Sequence, residues 1–178
     1  MIYISAYGRK FKLSFEIRNN ILRRWLPESG ESVAKIPPFV EVIGQGAFKD
    51  SSVLEEVLIP KSVHTIGSNA FNGCHSLKKV VLNEGLKQIE DSAFEDCPLI
   101  CVLDIPDSVF SVGNNAFKGT PWLEDRSEDI VISNGILISS YKTLESAVIP
   151  EGVRSIAACA FFGCEGLKKI SFPKTLSF

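Results

Sequence analysis

The phrase Ala-Phe recurs at a fixed interval along this 178-residue chain. Ala47-Phe48, Ala70-Phe71, Ala93-Phe94 and Ala116-Phe117 follow one another every 23 residues, and Ala160-Phe161 repeats the phrase after a longer gap. Self-similarity at such a period specifies stacked, equivalent coils, because one coil alone cannot bury its apolar side. The rest of each period agrees. Six residues after the phenylalanine stand Leu54, Leu77, Ile100, Leu123 and Leu167; nine after it, Val57, Val80, Leu103 and Ile170. Eleven after it come Ile59, Leu82, Ile105 and Phe172, and eighteen after it Ile66, Ile89 and Val112.

The spacing within a coil carries shape. Val80 and Leu82 alternate with an outward position, the period of a short strand. Pro60, Asn83, Pro106 and Pro173 follow that strand and stop it. Segments such as Val63-His64-Thr65-Ile66-Gly67 read as a second brief extended piece ending at glycine. The stretch from Gly67 to Cys74, with Ala70-Phe71 turned inward, is expected to form one helical turn, α or 3₁₀.

Two regions leave the simple period. Ile130–Ser133 and Ile136–Tyr141 flank Asn134-Gly135, a strong signal for a hairpin with a type I′ turn. Phe15–Arg18, Asn19-Asn20 and Ile21-Leu22 parallel it, and Ile36-Pro37 parallels Ile149-Pro150. The chain therefore contains a larger duplication of hairpin, loop, Ile-Pro coil and Ala-Phe. Residues 11–35 are read as a hairpin covering the open end of the stack, where apolar columns and strand edges need protection. Residues 121–148 are read as an irregular coil with a protruding hairpin.

Composition narrows the function classes. Net charge is -2 with pI near 5.8, against the strongly basic balance of a general nucleic-acid binder. No run approaches the roughly 18 apolar residues of a membrane span. Met1–Lys10 has no basic segment followed by an apolar core, so no signal peptide is read there. Five cysteines fit poorly with a closed disulfide framework. Cys74, Cys97 and Cys164 share one column with Ser51 and Thr120, which points to small packed side chains. The spacing of Cys97 and Cys101 lacks the second ligand pair of a structural zinc site. No phosphate-loop or nucleophile-turn signature is present. No cofactor, metal or catalytic residue is assigned, and the chain is read as a non-enzyme.

The repeat resembles that of the BspA-like leucine-rich-repeat family, approximately Leu-x-x-Val-x-Ile-Pro-x-x-Val-x-x-Ile-Gly-x-x-Ala-Phe-x-x-Cys. Leu54 to Cys74 matches it closely, as do Leu77 to Cys97, Ile100 to Thr120 and Ile149 to Phe172. The resemblance implies a right-handed leucine-rich-repeat solenoid; together with the residue pattern this gives an α/β, strand-rich fold with short strands, one-turn helices and a β-hairpin N-terminal cap. One domain spans 1–178, with the cap at 1–35, regular repeats at 36–120, the irregular hairpin insert at 121–148 and final repeats at 149–178. It also implies a bacterial surface or secreted protein tied to adhesion. The absence of a signal segment in these residues leaves a cytoplasmic location as the alternative.

Outward strand positions form the candidate binding face: Glu55, Glu56 and Leu58; Lys78, Lys79 and Val81; Val102 and Asp104; Lys168 and Lys169. Glu55 beside Lys78 and Glu56 beside Lys79 are expected to pair across strands. Phe110, alone among the polar equivalents His64, Lys87 and Arg154, is a candidate aromatic contact, and so is Trp122. Trp25 and Trp122 are also read as packing their own irregular segments against the stack. The expected function is a non-catalytic module that binds a protein or glycan on the sheet face. Nucleic acid and a transmembrane segment are not expected. The alternative is a structural spacer or assembly unit of a larger envelope protein, with end-to-end association.

Overall fold

A computed structural model describes residues 3–6, 9–12, 14–140, 144–174 and 176, with side chains from residue 14 onward. Tyr141, a large aromatic of the second hairpin, lies outside the described residues. The strands run β1 (Tyr3–Ala6), β2 (Arg9–Lys12), β3 (Phe15–Arg18), β4 (Ile21–Trp25), β5 (Val33–Lys35), β6 (Val42–Ile43), β7 (Glu56–Leu58) and β8 (Thr65–Ile66). They continue as β9 (Lys79–Val81), β10 (Gln88–Ile89) and β11 (Ser111–Val112), then helix α1 (Pro121–Glu124). After it come β12 (Ile130–Ser133), β13 (Ile136–Ser140), β14 (Ser146–Val148), β15 (Ser155–Ile156) and β16 (Lys169–Ser171).

Each regular coil places two short strands in two parallel sheets. The larger sheet has the order β11-β10-β8-β6-β4-β3, and the smaller β5-β7-β9. Between regular coils the parallel registers pair residues 23 apart, as in Glu56 with Lys79 and Thr65 with Gln88. β14 and β16 form a separate parallel pair, and β12-β13-β15 another sheet.

Between the sheets runs the phenylalanine column. Phe48, Phe71, Phe94 and Phe117 stack face to face at centroid distances of 4.8, 5.0 and 5.7 Å. Phe71 and Phe94 are fully buried. Burial of each ring contributes about 1.5–3 kcal/mol, and stacked pairs add a smaller term. A tryptophan closes each end of the column. Trp25 lies 5.6 Å from Phe48, and Trp122 stands edge-on to Phe117 at 4.9 Å.

The expected helical turn around Ala-Phe is a stack of β-turns instead. Alternate N–H groups point in different directions. Those of Ala70, Asn72 and Cys74 bond three residues back within the coil, while those of Asn69, Phe71 and Gly73 donate to Asp91, Ala93 and Glu95 of the next coil. A helix would turn every N–H inward along its own axis. The alternation needs left-handed residues on both sides of Ala-Phe, and the chain supplies them: Gly46, Asn69, Ser92 and Asn115 before it, Asp50, Gly73, Asp96 and Gly119 after it. The only helix among the described residues is α1, capped by Thr120, whose hydroxyl accepts the Leu123 N–H, with Pro121 in its first turn.

Ladder bonds on the turn edge all run toward the higher-numbered coil. On the strand edges the bonds run both ways, as parallel pairing requires: Lys87 N–H donates back to His64 and Lys78 N–H back to Glu55, and the ladders between them alternate in direction. Neighbouring coils approach so closely at Gly67 that a Cβ would sit 2.8 Å from the Ile43 carbonyl oxygen.

Both hairpins form. Asn19 and Asn20 at φ 50° and 60°, and Asn134 and Gly135 at 45° and 71°, make the tight turns. Adding 115 to the residue numbers of the first hairpin gives the second, including a register shift at Glu16/Ile17 and at Val131/Ile132.

Candidate binding surfaces

The expected binding face is divided. Glu55, Glu56, Leu58, Lys78, Lys79 and Val81 come together on or beside β7 and β9. Lys78 Nζ lies 3.3 Å from Glu55 and Lys79 Nζ 2.6 Å from Glu56, as the cross-strand spacing requires. Leu58 and Val81 are register neighbours and both are exposed. Val102 and Asp104 are exposed too, but Cys101–Asp104 carries no strand, so the sheet stops at β9. Lys168 and Lys169 belong to the separate β14–β16 pair, where Lys168 Nζ meets Glu145 at 3.4 Å.

Phe110 is 54% exposed at the flank of the larger sheet. Trp122 is only 6% exposed, because its ring is used to close the phenylalanine column. It is withdrawn from the candidate contacts. Phe162, at 76%, is the more accessible aromatic.

The cysteine column packs as its chemistry suggests. Cys74 and Cys97 are fully buried, and their thiols donate to the carbonyls of Phe48 and Phe71, each at 3.1 Å. Burial pushes both thiols up to about 12; the neighbouring Cys74 charge adds to the shift at Cys97. Cys101 and Cys159 are exposed, and Cys164 is half-buried beside the Ser140 hydroxyl at 3.2 Å.

Sequence reasoning missed two clefts, one at each hairpin. They occupy equivalent positions of the duplication. Beside the first hairpin, Arg23, Arg24 and Lys49 line a cleft of about 350 Å³ over Trp25 and Phe48. The Trp25 indole Nε1 is buried there without a hydrogen-bond partner. Beside the second, Ile138, Ser139 and Phe162 take the places of those three cations, and the cleft is about 620 Å³.

The second cleft exists because the stack forks. The N–H of Ala157 donates to Leu137 of the hairpin, while the next N–H, of Ala158, donates to Val112 of the preceding coil. β13 and β11 thus both lie against the coil of β15, and space opens between them. The turn ladder also breaks there. Phe48, Phe71 and Phe94 donate their N–H groups to Ala70, Ala93 and Ala116, but no described acceptor follows for Phe117 or Asn115. The Gly119 N–H turns to the Glu124 carboxylate at 3.1 Å. Ser140 stands where the first hairpin has Trp25, its hydroxyl donating to Ala160 at 2.8 Å. The signal in the sequence was the 44-residue interval from Phe117 to Phe161, two short of two periods.

This geometry meets the family comparison at one point: the same 23-residue coil is the matching unit. Residues 32–137 and 131–178 match the BspA type leucine rich repeat region, in six copies. The chain belongs to that family. Solved structures agree in fold. A leucine-rich repeat protein from Bacteroides ovatus is similar at 26% identity with a TM-score of 0.55, covering 99% of this chain and 40% of that one. This chain therefore spans well under half of that protein's length. A leucine-rich repeat protein from Bacteroides capillosus shares 31% identity over 68% of this chain and 94% of its own, with a TM-score of 0.54. The leucine rich repeat protein of T. pallidum, at 23% identity and a TM-score of 0.58, covers 92% of this chain and 81% of its own, and shows the fold alone. No curated protein sequence matches. No helix among the described residues is long and apolar enough to cross a membrane.

Proposed function

We propose that this leucine-rich-repeat chain is a non-catalytic binding module of the bacterial surface type, presenting a protein- or glycan-binding face on a rigid stack. One observation carries the reading. Repeated side chains stand outward at a fixed rung spacing, with the exposed apolar pair Leu58 and Val81 beside the charged pairs Glu55–Lys78 and Glu56–Lys79. Such a mixed apolar and polar surface suits recognition, whereas the exposed ion pairs add little to stability. The right-handed winding implied by the family, a single domain over 1–178 and a covering role for the first hairpin belong to this reading. Phe15 and Trp25 packed on Phe48 support the covering role.

The test is a screen of the purified chain against matrix proteins and glycan arrays, followed by Leu58→Asp and Val81→Asp. A ligand whose affinity falls about tenfold or more in both variants supports the face. Binding that neither variant alters moves the interaction elsewhere, and no binding above background removes the adhesion reading.

A spacer or assembly role has its own observation. In the last coil Phe161, Leu167, Ile170 and Leu176 are only partly buried and Phe172 is half exposed, whereas their equivalents in the central coils are buried, apart from the partly buried Leu82. Sedimentation over a range of concentrations separates the two readings: a monomer throughout counts against assembly through this face.

A further inference from the structure

We propose that the cleft at the fork binds an extended peptide segment carrying a bulky apolar side chain, with its backbone carbonyls taking the N–H groups of Asn115 and Phe117. This deepens the binding-module reading by naming a second site and its partner class.

Asn115 is exposed and Phe117 buried, and a backbone N–H with no protein acceptor is available to water or to a ligand carbonyl. In every lower coil the donors at these two positions are satisfied by carbonyls two residues apart on the coil above, such as Asp91 and Ala93 above Asn69 and Phe71. At the fork the hairpin has swung aside, and Asn115 and Phe117 line the cleft with that pair of acceptors missing. A polypeptide backbone supplies carbonyls at the same spacing, so an added peptide repeats the interaction made by each intact coil. Adding a strand or turn to an open hydrogen-bonding edge is an established mode of peptide recognition. The exposed N–H edge is electropositive, and peptide carbonyls complement it.

The cleft also provides for a side chain. Its volume, about 620 Å³, falls in the range of ligand pockets, and its walls combine apolar groups with a few polar ones, the usual composition of such sites. Leu123, Val131 and Ile138 form the apolar wall, and Phe162 stands exposed at the rim. The charged side chains at the mouth are already engaged: Lys118 with Glu95 at 3.1 Å, and Glu124 with the Gly119 N–H. A neutral apolar residue in the ligand therefore matches the site better than a charged one. The equivalent cleft of the first hairpin has an intact ladder, since the Trp25 N–H donates to Ala47 at 2.9 Å, and it is lined by cations. It serves as an internal control.

The experiment uses the full chain and a phage-displayed library of random linear peptides, with the selected sequences resynthesised with capped ends. Amide hydrogen exchange in the free protein should be faster at Asn115 and Phe117 than at Asn69 and Phe71, and a selected peptide should slow it by about tenfold or more. Ser139→Phe, which fills the cleft, should weaken binding about tenfold; Arg24→Phe, the same change in the first hairpin, should leave it unchanged. Phe162→Ser, at an exposed position that does not threaten folding, should weaken binding severalfold. Equal exchange protection at all four amides in the free protein overturns the proposal. So does failure to enrich any peptide, or binding insensitive to both Ser139→Phe and Phe162→Ser. Peptides that instead perturb the amides of β7 and β9 sink the cleft and leave the sheet-face reading standing.

Discussion

The two hairpins are copies of one design placed in different company. Among the described residues the first packs against a coil on one side only; β4 pairs with β6, and β3 is the outer strand of the larger sheet. Its Trp25 reaches the phenylalanine column, and its ladder bonds continue those of the coils. The second has a regular coil before it and another after it. One coil, that of β15, then donates N–H groups to both β13 and β11, and the stack divides. The same turn, bulge and register give a closed joint in one place and an open cleft in the other. What a motif does here is decided by how many neighbours compete for its edge.

That contrast can be tested by perturbation. The largest effect is expected at the ring that closes the first joint. Trp25→Ala should cost about 3–5 kcal/mol in a denaturant titration, as large-to-small changes in cores do. An unmoved midpoint would mean that the hairpin is an ornament on the stack.

Next comes an alkaline titration. Cys74 and Cys97 have thiols pushed up to about 12 by burial, against an ordinary value near 8.5 in the unfolded chain. Between these values the unfolded chain holds fewer protons than the folded one, so stability falls as pH rises from about 9 toward 12 and is unaffected below. The loss should be about 4 kcal/mol for each thiol by pH 12, and it should be abolished in the double variant Cys74→Ser, Cys97→Ser. Thiol reagents at neutral pH should modify the exposed Cys101 and Cys159 first, and Cys164 at the fork well before the two central thiols.

Ser140→Ala should cost about 1–3 kcal/mol, because the Ala160 carbonyl loses a buried donor. A loss as large as that of Trp25→Ala would erase the distinction between the joints. The smallest effect belongs to the regular face: Lys79→Ala should change stability by less than about 1 kcal/mol, and salt should reduce even that.

Much of this architecture could be read from the residues. The Phe48–Phe117 column, both hairpin turns and the Glu–Lys pairs follow from periodicity, turn chemistry and register. The supposed helical turn did not, although Gly, Asn and Asp at two fixed columns around Ala-Phe already suggested left-handed backbone. Those residues suit a helix end as well as a turn stack, and only the bonds to the next coil decide between them. The cleft was hidden for a different reason. Ser139-Ser140 stands in the phase of an Ala-Phe pair, but a fork depends on two distant segments meeting a third. Trp122 shows the same limit: its chemistry suits either a contact or a core, and the missing ring above Phe117 settles the matter.

The single direction of the turn-edge bonds has a geometric consequence. Along that margin the upper side of a coil offers donors and the lower side acceptors. Two upper sides placed together would set donor against donor there, whereas an upper side against a lower one matches. Whatever joins such a column by its backbone, whether another rung or a foreign strand, must therefore arrive with one polarity, as a battery fits its holder only one way round.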